Sequence, residues 1–154
     1  MLNNDVIRSV RYMLKVSEFI LVDIVKLGGG QVTQAEMNAY LKKEDEPGFE
    51  ECGQNIMSRF LNGLIYYKRG KDESRPPLVP ELPTNNVVLK KLRVAFELKD
   101  EDIISILEGV GTNVSKPELS ALFRKEGHQN YRPCGDQFLR YFLKGLTAKL
   151  RGNE

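Results

Sequence analysis

Shifted by 82 positions, the chain lies on itself: residues 3–70 fall on 85–152 without a gap, and 19 of the 68 pairs are identical. A repeat of this length dictates that whatever one half folds into, the other folds into as well. Asn3-Asn4 meets Asn85-Asn86, Glu36 and Ala39 meet Glu118 and Ala121, Cys52-Gly53 meets Cys134-Gly135, and Arg69-Gly70 meets Arg151-Gly152. Phe60-Leu61 and Gly63-Leu64 meet Phe142-Leu143 and Gly145-Leu146, and the unmatched pairs mostly exchange one apolar residue for another. The expected layout is a first helical repeat over 1–70, a linker over 71–84 and a second helical repeat over 85–154. Pro76, Pro77, Pro80 and Pro83 forbid a regular helix in the linker and favour an extended path of roughly 40 Å. Leu78, Val79 and Leu82 suggest that it lies on the protein surface.

Each repeat reads as four helices. The first runs near 4–16, with Val6, Ile7, Val10 and Leu14 on one stripe, and its copy near 86–98 repeats this with Val88, Leu89, Leu92 and Phe96. The second runs near 18–27 behind Ser17 as a cap, with glycines 28–30 stopping it; its copy starts at Asp100, and Gly109 and Gly111 stop it. The third opens with a capping box, Thr33-x-x-Glu36 or Ser115-x-x-Glu118, so both glutamates read as caps rather than catalysts. The fourth spans 54–69 and 136–151 and carries Gly63 or Gly145 in mid-helix, at a cost of about 1 kcal/mol relative to alanine. A cost accepted twice predicts that another helix crosses closely there. A lone unit of this size buries too little surface. The two are therefore expected to pack about a pseudo-two-fold axis, like a homodimer made covalent. The fold class expected is all-α: two tandem four-helix repeats.

The residues also carry a resemblance. Asp5-x-x-Arg8-Ser9-x-Arg11-Tyr12, Phe60 to Ile65, Lys68 to Glu73 and Cys134 to Leu143 resemble the YehS-like bacterial family of uncharacterised proteins, over nearly the whole chain. The resemblance implies a bacterial, soluble protein with a duplicated helical domain. It supplies no activity and no catalytic residues.

Functional classes are narrowed mainly by what is scarce. Hydrophobic residues make up 41% and charged residues 29%, the balance of a soluble globular chain. Residues 1–5 have neither a basic start nor an apolar core, so no signal peptide is read, and the longest apolar stretch, Phe19 to Val22, is too short for a bilayer. Cytoplasm is the default compartment, with no membrane partner. Cys52 and Cys134 are read as small buried side chains rather than as a disulfide. His128 is the single histidine and is read as a surface loop residue. No metal cluster, phosphate loop or cofactor motif appears, and the expectation is no enzyme.

Two binding readings remain. In the first, the chain is a binding or protein-interaction module. Phe19 and Ile20 stand where the second repeat has Glu101 and Asp102, and Tyr66 and Tyr67 where it has Ala148 and Lys149. These four mark a homodimer or partner surface on the first repeat, unless Leu78, Val79 or Leu82 of the linker covers them. In the second, the chain is a nucleic-acid-binding pseudo-dimer with two helix-turn-helix-like elements. Gln34, Asn38 and Lys42, and their counterparts Lys116, Ser120 and Arg124, would face the groove. Net charge is +2 overall, too mild to favour nucleic acid by itself. The first helices also carry basic faces, Arg8, Arg11 and Lys15, then Lys90, Lys91 and Arg93, read as solvated. Arg11 and Arg93, unchanged between copies, suit a salt bridge between the units or a ligand.

Overall fold

A computed structural model describes residues 1–152; the last two residues of the second repeat lie outside the described residues. It contains eight helices: α1 (Asn3–Leu14), α2 (Glu18–Leu27), α3 (Gln34–Leu41), α4 (Gln54–Arg69), α5 (Asn85–Ala95), α6 (Asp100–Glu108), α7 (Lys116–Phe123) and α8 (Asp136–Arg151). Among the described residues there is no strand. The all-α, duplicated fold expected from the repeat is what forms.

Most ends fall where local chemistry puts them. The Thr33 and Ser115 hydroxyls accept the Glu36 and Glu118 amides, and each glutamate accepts the amide of its own cap residue. The Ser115 amide holds the Glu118 carboxyl below its ordinary range. α1 and α5 end two or three residues sooner than the apolar stripe predicts. Lys15 and Glu97, equivalent positions, turn into the left-handed region at φ 56° and 54°. That turn sends Val16 and Leu98 back toward the core. No glycine or proline marks it, which is why sequence alone overruns it.

The mid-helix glycines are explained by close crossing. A Cβ on Gly63 would lie 1.7 Å from the Ile24 carbonyl oxygen, and one on Gly28 would lie 1.8 Å from that of Arg59. α2 and α4 therefore touch backbone to backbone. In the second repeat Val110 replaces Gly28, and a Cβ on Gly145 would lie 2.6 Å from the Ile106 oxygen, a looser crossing.

The repeats join reciprocally: α1 packs on α8, and α4 on α5. Exchanging the repeats turns the first pair into the second, since α5 is the copy of α1 and α8 the copy of α4, so the junction has pseudo-two-fold symmetry. One apolar core runs through both repeats, from Ile7, Leu21 and Phe60 to Leu89, Ile103 and Phe142. The identical asparagines act as clamps. Asn4, fully buried, donates to the Tyr40 and Glu50 carbonyls and accepts the Cys52 amide. Asn86 does the same with Leu122, Arg132 and Cys134. Each ties the loop before the fourth helix to the first.

Both cysteines are free and buried, in separate repeats. Burial pushes the Cys52 thiol up to about 12 and the Cys134 thiol to about 11. His128 is exposed, and its Nδ1 accepts the Asn130 amide at 3.0 Å.

Candidate functional site

The basic faces do not behave alike, although both were expected to be solvated. Lys91 is only 5% exposed. Its Nζ donates to Asn62 Oδ1 at 2.8 Å and lies 3.2 Å from the Glu81 carboxylate; Lys90 meets the same glutamate at 3.0 Å. The linker therefore crosses the α4/α5 groove and brings one carboxylate to its two lysines. Leu78 N donates to the Tyr66 hydroxyl at 2.7 Å, and the Asn62 amide donates to the Val79 carbonyl. Leu78 and Glu81, three residues apart, are half-buried and face inward, the spacing expected of an extended proline-rich path. Val79 and Leu82 do not cover the protein as expected: they are 74% and 66% exposed, because three residues per turn puts them on the outer side.

Among the described residues no linker-like segment crosses the α1/α8 groove. Two adjoining hollows, about 350 and 450 Å³, share Arg8 and Tyr12. One is walled further by Arg11, Lys15 and Arg151, the other by Ser9, Arg140, Lys144 and Thr147. The one carboxylate among these linings is Asp5, which pairs with Arg8. Tyr12 is 59% exposed at the centre, with the Arg151 guanidinium 4.0 Å over its ring. Arg140, Lys144, Thr147 and Arg151 follow helical spacing, so one stripe of α8 faces α1. That stripe is visible in the sequence. Its neighbour is not, because the side-by-side packing of α1 and α8 is a tertiary fact.

Arg11 and Arg93 do not bridge the units. Arg11 lies 3.7 Å from Glu18 and Arg93 2.9 Å from Asp100, so each ties the first helix of its repeat to the start of the second. Arg93 also stacks on Phe123 at 4.6 Å.

The helix-turn-helix candidates have other engagements. Gln34 and Asn38 donate to the two oxygens of Glu18 at 2.7 and 3.1 Å, and Lys42 donates to the Pro47 carbonyl. Lys116 pairs with Glu101. In the second repeat Lys116, Ser120 and Arg124 do line one cleft, of about 600 Å³, together with Arg132.

The apolar candidates divide. Phe19 is 68% exposed and Tyr67 41%; Ile20 is half-buried against the core. The counterparts of Ile20 and Tyr67 in the second repeat, Asp102 and Lys149, form an ion pair at 3.9 Å. Tyr66 is the one the linker engages, through its hydroxyl. Among the described residues no three His, Cys, Asp or Glu side chains are grouped to hold a metal, and no helix is long and apolar enough to cross a membrane.

The family described as "Protein of unknown function (DUF1456)" matches the chain twice, over residues 3–70 and 85–152. The chain belongs to this family. Both matches fall on the two copies of the internal repeat, so the family's unit is the four-helix repeat and the α1/α8 and α4/α5 grooves lie between two such units. The chain is similar to the uncharacterized protein YehS of Escherichia coli (strain K12), 55% identical over 150 residues that span 97% of this chain and 96% of that protein. No solved structure matches it.

Proposed function

We propose that this chain is a non-enzymatic, cytoplasmic protein-interaction module whose basic groove between α1 and α8 takes an acidic segment of a partner protein. The observation that carries this reading is the convergence of Arg8, Arg140 and Lys144, from the two ends of the chain, on one open groove with a single carboxylate in its walls. Such a cluster raises the local concentration of anionic partners and sets their orientation. Two free, buried thiols support the cytoplasmic part, since an oxidising compartment favours disulfides.

The test is fluorescence anisotropy with a labelled glutamate decapeptide. Saturable binding that weakens with salt and falls about tenfold in Lys144→Glu is expected. Binding that is absent, or that ignores the charge reversal, overturns the reading.

A second reading, nucleic acid at α7, has one observation in its favour: Lys116, Ser120, Arg124 and Arg132 share a cleft. A mobility shift that weakens steeply with salt and is lost in Arg124→Glu, with the decapeptide not binding, would favour it. Turnover in a substrate screen, abolished by a point substitution, would overturn both.

A further inference from the structure

The α4/α5 groove already holds a peptide, the linker. It runs antiparallel to α4: Leu78 meets Tyr66 and Val79 meets Asn62, before Glu81 reaches Lys90 and Lys91 on α5. Under this strap Asn62 and Lys91 are 1% and 5% exposed. The pseudo-two-fold axis carries this groove onto the α1/α8 groove. There Asn62 becomes Lys144, Lys91 becomes Ser9 and Lys90 becomes Arg8. Lys144 is exposed and Ser9 half-buried, and no segment of the described chain lies across them. The molecule thus has two equivalent grooves, one strapped and one open among the described residues.

The open groove differs from the strapped one in which charges line it. The linker brings Glu81 to its two lysines. The open groove presents Arg8, Arg140 and Lys144, with Asp5 the one carboxylate in its lining and Asp136, held by the Met1 amino group, within reach of the Arg140 charge. An occupant that follows the linker's path there meets about as much net positive charge as the linker does, since Asp5 offsets one of the three basic groups, and it needs acid to match.

We propose that the α1/α8 groove binds an extended, acidic, proline-bearing segment of a partner protein, laid antiparallel to α8 from Arg151 toward Met1, as residues 78–83 lie along α4. This rests on the protein-interaction reading above and adds the conformation and direction of the bound segment. Proline in the segment lowers the entropy lost on binding, because the free peptide is already extended.

The probe is a labelled peptide with the sequence of residues 76–83 carrying Leu78→Glu, which puts both acids on the inward side of the strap. Two controls accompany it: the same peptide with both acids as glutamine, and a glycine–serine octapeptide with glutamates at the same two places. The proline-bearing acidic probe is expected to bind at least about tenfold tighter than either control. Its binding should weaken about tenfold in Lys144→Glu, and its amide-shift changes should fall on α1 and α8. The substituted protein's unperturbed melting temperature confirms that it folds. Equal binding of the glycine–serine control overturns the strap and leaves the charge reading standing. Binding of the glutamate decapeptide without binding of the probe does the same. Binding of neither overturns both. Shifts confined to α4 and α5 mean that the probe displaced the linker, and these too overturn the proposal.

Discussion

Arg151, in the last turn of α8, donates to the Tyr12 carbonyl at 2.7 Å and covers the Tyr12 ring. Its counterpart Arg69, at the end of α4, reaches the Val94 carbonyl at 3.4 Å and the Glu97 carboxylate at 3.1 Å. Each repeat thus caps the other's first helix with an arginine, which accounts for a residue pair the two copies share. Arg151→Ala and Arg69→Ala should each cost about 1 kcal/mol, the worth of a partly exposed charged hydrogen bond. Urea unfolding should remain a single transition, since the two repeats share one core. A second transition would show that they unfold independently.

The two mid-helix glycines should respond unequally. Gly63→Ala places a methyl group on a backbone oxygen that cannot rotate away, so the cost should reach about 3 kcal/mol despite alanine's better helix propensity. Gly145→Ala meets a looser crossing, with a side-chain methyl among its contacts, and should cost about half as much. Paired thermal melts check the order; equal losses would contradict the difference in helix approach.

Asn4 makes three hydrogen bonds to backbone with no exposure to water. Asn4→Ala leaves two carbonyls and one amide without that partner and should cost about 3 kcal/mol. Asn4→Asp is nearly isosteric but cannot donate when ionised, so it should be at least as costly at neutral pH. Asn86→Ala should cost less, because that site is only half-buried. Hydrogen exchange at the Cys52 and Cys134 amides reads each clamp directly.

The strap should loosen in acid. Partial burial pushes the Glu81 carboxyl up, but hydrogen bonds and charge from Lys90 and Lys91 outweigh it, and the net shift is downward. A lowered folded value means stability present above the ordinary 4.5 and lost as pH falls through the folded value. Glu81→Gln removes the countercharge of buried Lys91 and should cost about 2 kcal/mol at neutral pH, with the acid dependence reduced. Proteolysis of the linker against pH, for both proteins, measures this.

The thiols carry an alkaline signature. Their folded values lie above the ordinary 9.0, so beyond that pH the unfolded chain releases protons that the folded chain retains. Stability should therefore decline as pH rises from 9.0 toward about 12, and Cys52→Ser/Cys134→Ser should flatten that decline. Native thiols should react slowly with a disulfide reagent at pH 8 and quickly once denatured.

Much of this architecture is written in the sequence because it depends on local spacing. The capping boxes at Thr33 and Ser115 and the glycines at 63 and 145 each have one physical meaning over a few residues, and the 82-residue offset carries that meaning from one repeat to the other. The left-handed ends at Lys15 and Glu97 escaped because no residue type there demands that turn. The candidate groove escaped for a different reason. Arg8 and Arg140 are 132 positions apart, and helical periodicity says which residues share a helix face but not which helix lies alongside. Only the reciprocal docking of α1 on α8 and α4 on α5 decided that the linker would strap one groove and not its equivalent. A single covalent connection can cross one face of a pseudo-dimer, so duplication made two grooves and the linker fills one of them.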